Sequence, residues 1–316
     1  MLFFISDLTS GNKIQPGGCE MKKVLIVVMV LLFALPMTSM AIGTKSATKY
    51  PIILAHGAGF ESNVLGIIDY WGKIPSAMRD NGAKVFITNV SALESKANKA
   101  AQWKPQVLEV LAVTGASKVN VIGHSDGCLY TRYAISNLGL DKYVASLTSM
   151  GGPHRGSVLA DILMGIGDAT KLTNVVGPII SGALSLINSG DSEDAVANGY
   201  ELTRPYMINV FNPNTPDMPG VYYQSYAGKI TNALGGGLLL ALWGIMKPYE
   251  GDNDGMVSVT SAKWGNFRGV FDGGFWSGLG GVNHFAEVGA LVVVTPGYDA
   301  PTAFVNIAAD LKNMGY

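Results

Sequence analysis

Residues Lys118 to Gly127 read Lys-Val-Asn-Val-Ile-Gly-His-Ser-Asp-Gly, and they leave little choice of local structure. A β-branched run enters Gly-x-Ser-x-Gly directly, and a helix-like run from Cys128 to Leu138 leaves it. That order is strand, tight turn, helix, the context in which the pattern becomes a nucleophile elbow. The flanking glycines are needed because a turn this sharp has no room for a Cβ on either side. Ser125 is then expected at the top of a buried strand and at the mouth of a helix N-terminus. The glycine content (40 of 316 residues) makes a chance match easy, so the flanking strand and helix carry the inference.

The rest of the chain repeats that alternation. Tyr50 to Ala55 reads as a buried parallel strand that runs into a glycine-rich turn, His56-Gly-Ala-Gly-Phe60. Trp71 to Asn81 is expected to be helical, Lys84 to Thr88 a strand, and Glu94 to Val113 a crossover helix stopped at Gly115. Tyr143 to Met150 is a further strand, ending in a loop from Gly151 to Ser157. Val221 to Gly228 reads as a strand and Pro301 to Asn313 as a closing amphipathic helix. The apolar stretch from Leu234 to Met246 has no assignment. Such alternation predicts an α/β fold with a mostly parallel central sheet, helices on both faces and a site at its carboxyl edge.

The amino terminus supplies an address. Met21-Lys-Lys23 precedes twelve uncharged apolar residues, Val24 to Leu35, and Ser39-Met-Ala41 offers small residues for cleavage. This reads as a secretory signal peptide over 21–41, too short to span a bilayer. Residues 1–20 are then an upstream extension that does not belong to the natural start, and 42–316 form one α/β domain with no stable membrane anchor. Cys128 remains the single cysteine of that domain, expected to be a small buried hydrophobe. A net charge of −1 and only 14% charged residues give no reason to expect nucleic acid.

A serine hydroxyl needs a base, and this fold orders nucleophile, acid and base along the chain. Of four histidines, His56 lies in the turn after the first strand, His124 adjoins the serine and His154 precedes every plausible acid; His284 follows them. The acid candidates are Asp254, Asp252 and Asp272. A tetrahedral oxyanion needs two backbone donors, expected from the N–H groups of Ala58 and Asp126. The Asp126 side chain is expected to point away from the oxyanion and accept hydrogen bonds elsewhere. No charged pocket that would receive a peptide side chain is evident.

Taken together, Tyr50 to Gly57, the Gly-His-Ser elbow, Thr131-Arg-Tyr133, Val144 to Ser149, Gly152-Pro-His-Arg-Gly-Ser157 and Asn253-Asp-Gly-Met-Val257 resemble the bacterial true lipases, the Pseudomonas, Burkholderia and Proteus triacylglycerol lipase group. The match is dense from Tyr50 to Ser157 and thin afterwards. The resemblance implies an α/β-hydrolase fold, a mobile helical lid, carboxyl-ester hydrolysis of water-insoluble acyl esters at a lipid interface, and Asp254 as the acid of a Ser125–Asp254–His284 set. It departs from the group at three places. Asp126-Gly-Cys128 stands where many relatives have His or Gln followed by Gly-Gly. The disulfide of some relatives cannot form. Ala286 replaces an aspartate that in relatives binds structural calcium, with Glu287 the nearest substitute, so no metal or cofactor is expected.

The segment 158–190 is nearly uncharged, carrying only Asp161, Asp168 and Lys171, and is interrupted by glycines. It is expected to be the lid, with Leu163, Met164, Val176 and Ile179 facing the acyl chain. Ordinary core helices are the competing reading of the same residues. Two other functions remain open from sequence: a polyester depolymerase with the same triad, and a non-catalytic relative that binds an apolar ligand or partner.

Overall fold

A computed structural model describes residues 43–58, 63–64, 68–166, 178, 195–290 and 295–316, which fall within one compact unit, Gly43–Tyr316. The upstream and signal segments lie outside the described residues, as do Val176 and Ile179.

Chain order gives β1 (Ile52–Ala55), α1 (Ile74–Asp80), β2 (Val85–Thr88), α2 (Lys96–Thr114), β3 (Val119–His124), α3 (Gly127–Asn137), β4 (Val144–Met150), α4 (Val158–Leu163), α5 (Ala195–Tyr200), β5 (Tyr222–Gly228), α6 (Leu240–Glu250), β6 (Asn266–Phe271) and α7 (Ala300–Asn313). The six strands form one sheet in the order β2-β1-β3-β4-β5-β6, and every neighbouring pair is parallel. A two-residue antiparallel hairpin, Asn63–Val64 with Ile68–Asp69, stands apart from it.

β1, β3 and β4 are buried along their whole length; β1 is wholly apolar, whereas β3 and β4 also bury Asn120, His124, Ser146, Thr148 and Ser149. Alternation along β1 divides the core. Ile52 and Leu54 face one cluster with Trp71, Ile74, Met78 and Phe304, beneath α1 and α7. Ile53 and Ala55 face the other with Trp103, Val107 and Tyr130, beneath α2 and α3. The helices end where the sequence signals lie. The Ser95 hydroxyl accepts from the Asn98 N–H at the start of α2, and Gly115 closes it in the left-handed region at φ 66°.

α4 opens the expected lid segment, but its residues pack as core. Val158, Leu159 and Ile162 are buried in the α1/α7 cluster and Leu163 packs against it. Met164 is half-buried and lies against Gly199. The helical lid beyond this point falls outside the described residues. The unassigned stretch from Leu234 becomes two short 3-10 turns followed by α6.

Candidate active site

Ser125 sits between the end of β3 and the start of α3 with φ 56°, the sole non-glycine residue in the left-handed region among those described. Such a conformation costs on the order of 1–3 kcal/mol and persists only where the surroundings impose it. Here the Ser125 N–H donates to the Met150 carbonyl of β4 at 3.0 Å, and the Ser125 carbonyl accepts from the Cys128 N–H at 3.1 Å. A Cβ at Gly127 would run into the Ala55 carbonyl, and one at Gly123 would lie 2.9 Å from the Gly127 carbonyl carbon. Both glycines are therefore steric requirements of the turn.

Asp254 and His284 meet at the same edge of the sheet. The Asp254 Oδ2 lies 2.7 Å from His284 Nδ1. Its Oδ1 accepts the N–H groups of Met256 and Val257 at 2.8 and 2.7 Å, and its carbonyl accepts the His284 N–H at 3.0 Å. The carboxylate is thus locked by its own turn, and it locks the imidazole in turn. The far ring nitrogen, His284 Nε2, is buried and without a partner. The ring lies 4.5 Å from that of His124, the residue preceding Ser125. Asp252 is different: it is well exposed and pairs with Lys229 at 3.4 Å. Asp272 is also exposed to solvent and bonds the Gly274 N–H in its own loop.

No described residue accepts the N–H of Ala58 or of Asp126. Beside the first of these, the Gly57 N–H donates to the Tyr70 hydroxyl at 2.9 Å, and that hydroxyl bonds His124 Nδ1. His124 Nε2 then lies 3.0 Å from Glu287 Oε2, while Glu287 Oε1 accepts the Gly228 N–H. Burial, then the charge of His284, holds His124 well below the usual histidine range. The ring is neutral and is held through Nδ1 by Tyr70 and through Nε2 by Glu287. Burial, then the negative charge of Asp254, pushes Glu287 well above the usual carboxylate range. Both causes favour the protonated form of Glu287, and the Asp254 carboxylate is the one that bonds the imidazole Nδ1.

Among the described residues one group of side-chain ligand atoms, from His124, His284 and Glu287, lies within 4.8 Å of one another. These are the candidate base and the two residues packed on it. An ion there would have to replace the His124–Glu287 hydrogen bond. His154 has a different role: its Nε2 lies 3.0 Å from the Ser149 hydroxyl, its ring stacks on Trp264, and burial holds it well below the usual range. His56 is fixed by the Gly57 carbonyl and the Val90 N–H. Cys128 is fully buried, and burial pushes its thiol up to about 12, so it is a packing group.

The chain is 33% identical over 276 residues to a triacylglycerol lipase of Vibrio cholerae, covering 86% of that relative and 78% of this chain. It belongs to the triacylglycerol lipase family. A triacylglycerol lipase of Burkholderia plantarii is 35% identical over 224 residues, 68% of this chain, and one of Pseudarthrobacter phenanthrenivorans is 36% identical over 211, 64% of this chain. The chain spans 62% and 65% of the lengths of these two relatives. Residues 51–181 also match the family model described as palmitoyl protein thioesterase. In structure, the chain is similar to the mature Bacillus licheniformis lipase BlEst2, with a TM-score of 0.61 and 20% identity over 83% of this chain and 92% of that one. A metagenomic carboxyl esterase gives a TM-score of 0.62 at 17% identity, over 86% and 78% of the two chains. These likenesses establish the α/β-hydrolase fold, with the parallel sheet and flanking helices described above.

The family's sequence signature pointed to Ser125, Asp254 and His284 but not to Tyr70, Glu287, Lys96 or Lys99. The last two are buried lysines of α2 that receive the Asp126 carboxylate, which faces away from the oxyanion turn. A patterned helix gives no sign that two of its lysines are internal.

Proposed function

We propose that this chain is an exported serine carboxyl-ester hydrolase that acts on apolar acyl esters, triacylglycerols among them, through an acyl-enzyme on Ser125. The observation that carries the reading is the combination of a strained elbow serine with a buried Asp254–His284 pair whose imidazole Nε2 has no hydrogen-bond partner among the described residues. In the first half-reaction His284 Nε2 takes the Ser125 proton as Oγ bonds the ester carbonyl carbon. The resulting oxyanion is received by the N–H groups of Ala58 and Asp126, which have no acceptor among the described residues to give up. The imidazolium passes its proton to the departing alkoxide. Water then repeats the sequence and releases the acid. Asp254, bonded to Nδ1, holds the imidazole in the required tautomer and stabilises its cation.

Export is supported by the Met21–Ala41 segment. Among the described residues no helix is long and apolar enough to cross a membrane. The test is hydrolysis of a p-nitrophenyl ester series by the chain from about residue 42, with Ser125→Ala as control. The expected result is turnover rising from acetyl to longer acyl groups and lost in the variant by about 10³-fold or more. Equal turnover in Ser125→Ala would refute the mechanism.

A further inference from the structure

Asp126 follows the nucleophile and occupies the N-cap position of α3, where an aspartate ordinarily bonds the first free N–H groups of its helix. It does not: its side chain caps nothing. Both carboxylate oxygens are turned into a closed polar cluster instead. Oδ1 lies 3.0 Å from Lys96 Nζ. Oδ2 lies 2.6 Å from Lys99 Nζ and accepts from Asn198 Nδ2 at 3.3 Å. Lys96, Lys99 and Asp126 are each about 1% exposed.

The cluster is continued by its neighbours. Lys99 Nζ also donates to the Ala92 carbonyl at 3.0 Å. Glu201 Oε2 accepts the Lys96 N–H at 2.6 Å and lies 3.7 Å from Lys96 Nζ. Asn198 Nδ2 donates to the Glu94 carbonyl at 2.9 Å. Two ammonium groups thus face two carboxylates, and the charges balance. α2, the elbow, α5 through Asn198 and the residue that follows α5, Glu201, are joined by one network.

Enclosing two lysines and an aspartate is costly, and replacing such a set by apolar groups is often neutral or stabilising. A stability role therefore explains the cluster poorly. Its location explains it better. The Asp126 N–H is one of the two oxyanion donors, and the direction of that N–H is set by the peptide plane between Ser125 and Asp126. Ser125 is strained, so the plane has to be held from outside. A side chain hydrogen-bonded at Oδ2, held at Oδ1 by the Lys96 charge and attached to that same backbone does so. Burial alone would raise the Asp126 carboxyl, yet Lys96 and Lys99 hold it below the usual range, so the anchor stays charged throughout the working range. The lysines also neutralise a carboxylate that would otherwise oppose negative charge forming one residue away.

We propose that Asp126 is a positioning residue, whose carboxylate, clamped by Lys96, Lys99 and Asn198, holds its own backbone N–H in the oxyanion hole. The proposal rests on the Ser125 mechanism above and adds to it the residues that keep the hole in register. Displacing a group in such a site by a fraction of an ångström is enough to lower turnover without changing ground-state binding.

The test uses the charge-neutral pair Asp126→Asn with Lys99→Met, because Asp126→Asn alone strands buried ammonium groups. Melting temperature, kcat and KM on a soluble ester, and the affinity of an alkylboronic acid are measured together with Ser125→Ala. The boronic acid becomes tetrahedral on the serine and places an oxygen in the hole, whereas the ester's KM reports ground-state binding. The expected result is a folded variant with kcat lower by about tenfold to a hundredfold, KM within about twofold, and boronate affinity reduced by a factor similar to that of kcat. A lowered melting temperature with unchanged kcat and boronate affinity would overturn the proposal and leave a structural ion cluster. If the pair does not fold, Asn198→Ala decides: a kcat loss of a few-fold at constant KM is expected, and wild-type kcat would overturn the proposal. Persistent activity in Ser125→Ala would instead refute the serine mechanism, so the two failures are distinguishable.

Discussion

His56 makes the chain acid-sensitive by a calculable amount. Burial holds its imidazole down, from 6.5 to about 4, against the opposing bond to the Gly57 carbonyl. Nε2 accepts the Val90 N–H, so the folded ring is neutral and protonated on Nδ1. A folded value below the unfolded one means that the unfolded chain takes the proton first. Stability from this group is therefore complete above about pH 7.5 and lost as pH falls from about 6.5 towards 4. With these two values the loss between pH 8 and pH 5 is about 2 kcal/mol. His124 and His154, also buried and held low, act in the same direction. Glu287 and Glu250, held high by burial, act in the opposite one. The His56→Gln variant keeps an acceptor for Val90 and isolates the single term. In urea unfolding at several pH values, the variant should be the less stable protein at pH 8. Its deficit should then shrink by about 2 kcal/mol at pH 5. A deficit that stays constant across this range would refute the assignment of a neutral, buried His56.

Asp254→Asn should lower kcat by about 10²-fold or more, because the orienting carboxylate and the counter-charge for the imidazolium are both removed. The loss should stop short of about 10⁴-fold, since Glu287 Oε2 remains 3.8 Å from the same nitrogen and loses the negative neighbour that, after burial, holds its carboxyl up. Asp252→Asn, which touches only Lys229 at the surface, should leave steady-state kinetics nearly unchanged; the reverse ranking would move the acid role to Asp252. A calcium chelator should change neither turnover nor melting temperature, because Ala286 offers no side-chain ligand and the Glu287 oxygens are engaged by Gly228 and His124. A drop of several degrees restored by calcium would contradict this.

Much of the sheet was legible because buried parallel strands are rich in apolar and β-branched residues. Ile52–Ala55 is wholly apolar, and Val119–His124 and Val144–Met150 carry enough such residues to read as strands despite their buried polar positions. β6 did not, since Asn266–Phe271 is an edge strand with no fully buried position and hence no periodic signal. Ser125 and His284 were candidates from motif and chain order, and Asp254, which meets His284, was singled out from Asp252 and Asp272 by the resemblance. The residues around them were not, because their partners are distant in sequence: Lys99 meets Asp126 across 27 residues, and Glu287 meets His124 across 163. Lys96 and Lys99 carry the residue type of a solvated helix face, and only tertiary packing reveals that they are enclosed. The start of the apolar 158–190 segment misled in the other direction. Its composition suits a lid, yet Val158, Leu159 and Ile162 are core side chains.

The central claim is that Ser125 carries the acyl group, and stoichiometric labelling tests it most directly. The protein from about residue 42 would be treated with a p-nitrophenyl alkylphosphonate, the released nitrophenol counted, and the modified peptide mapped by mass spectrometry. One equivalent of nitrophenol, complete loss of esterase activity, the adduct on Ser125 and no reaction of His284→Ala are predicted. Labelling of another residue, or full activity after Ser125 is blocked, would contradict the account.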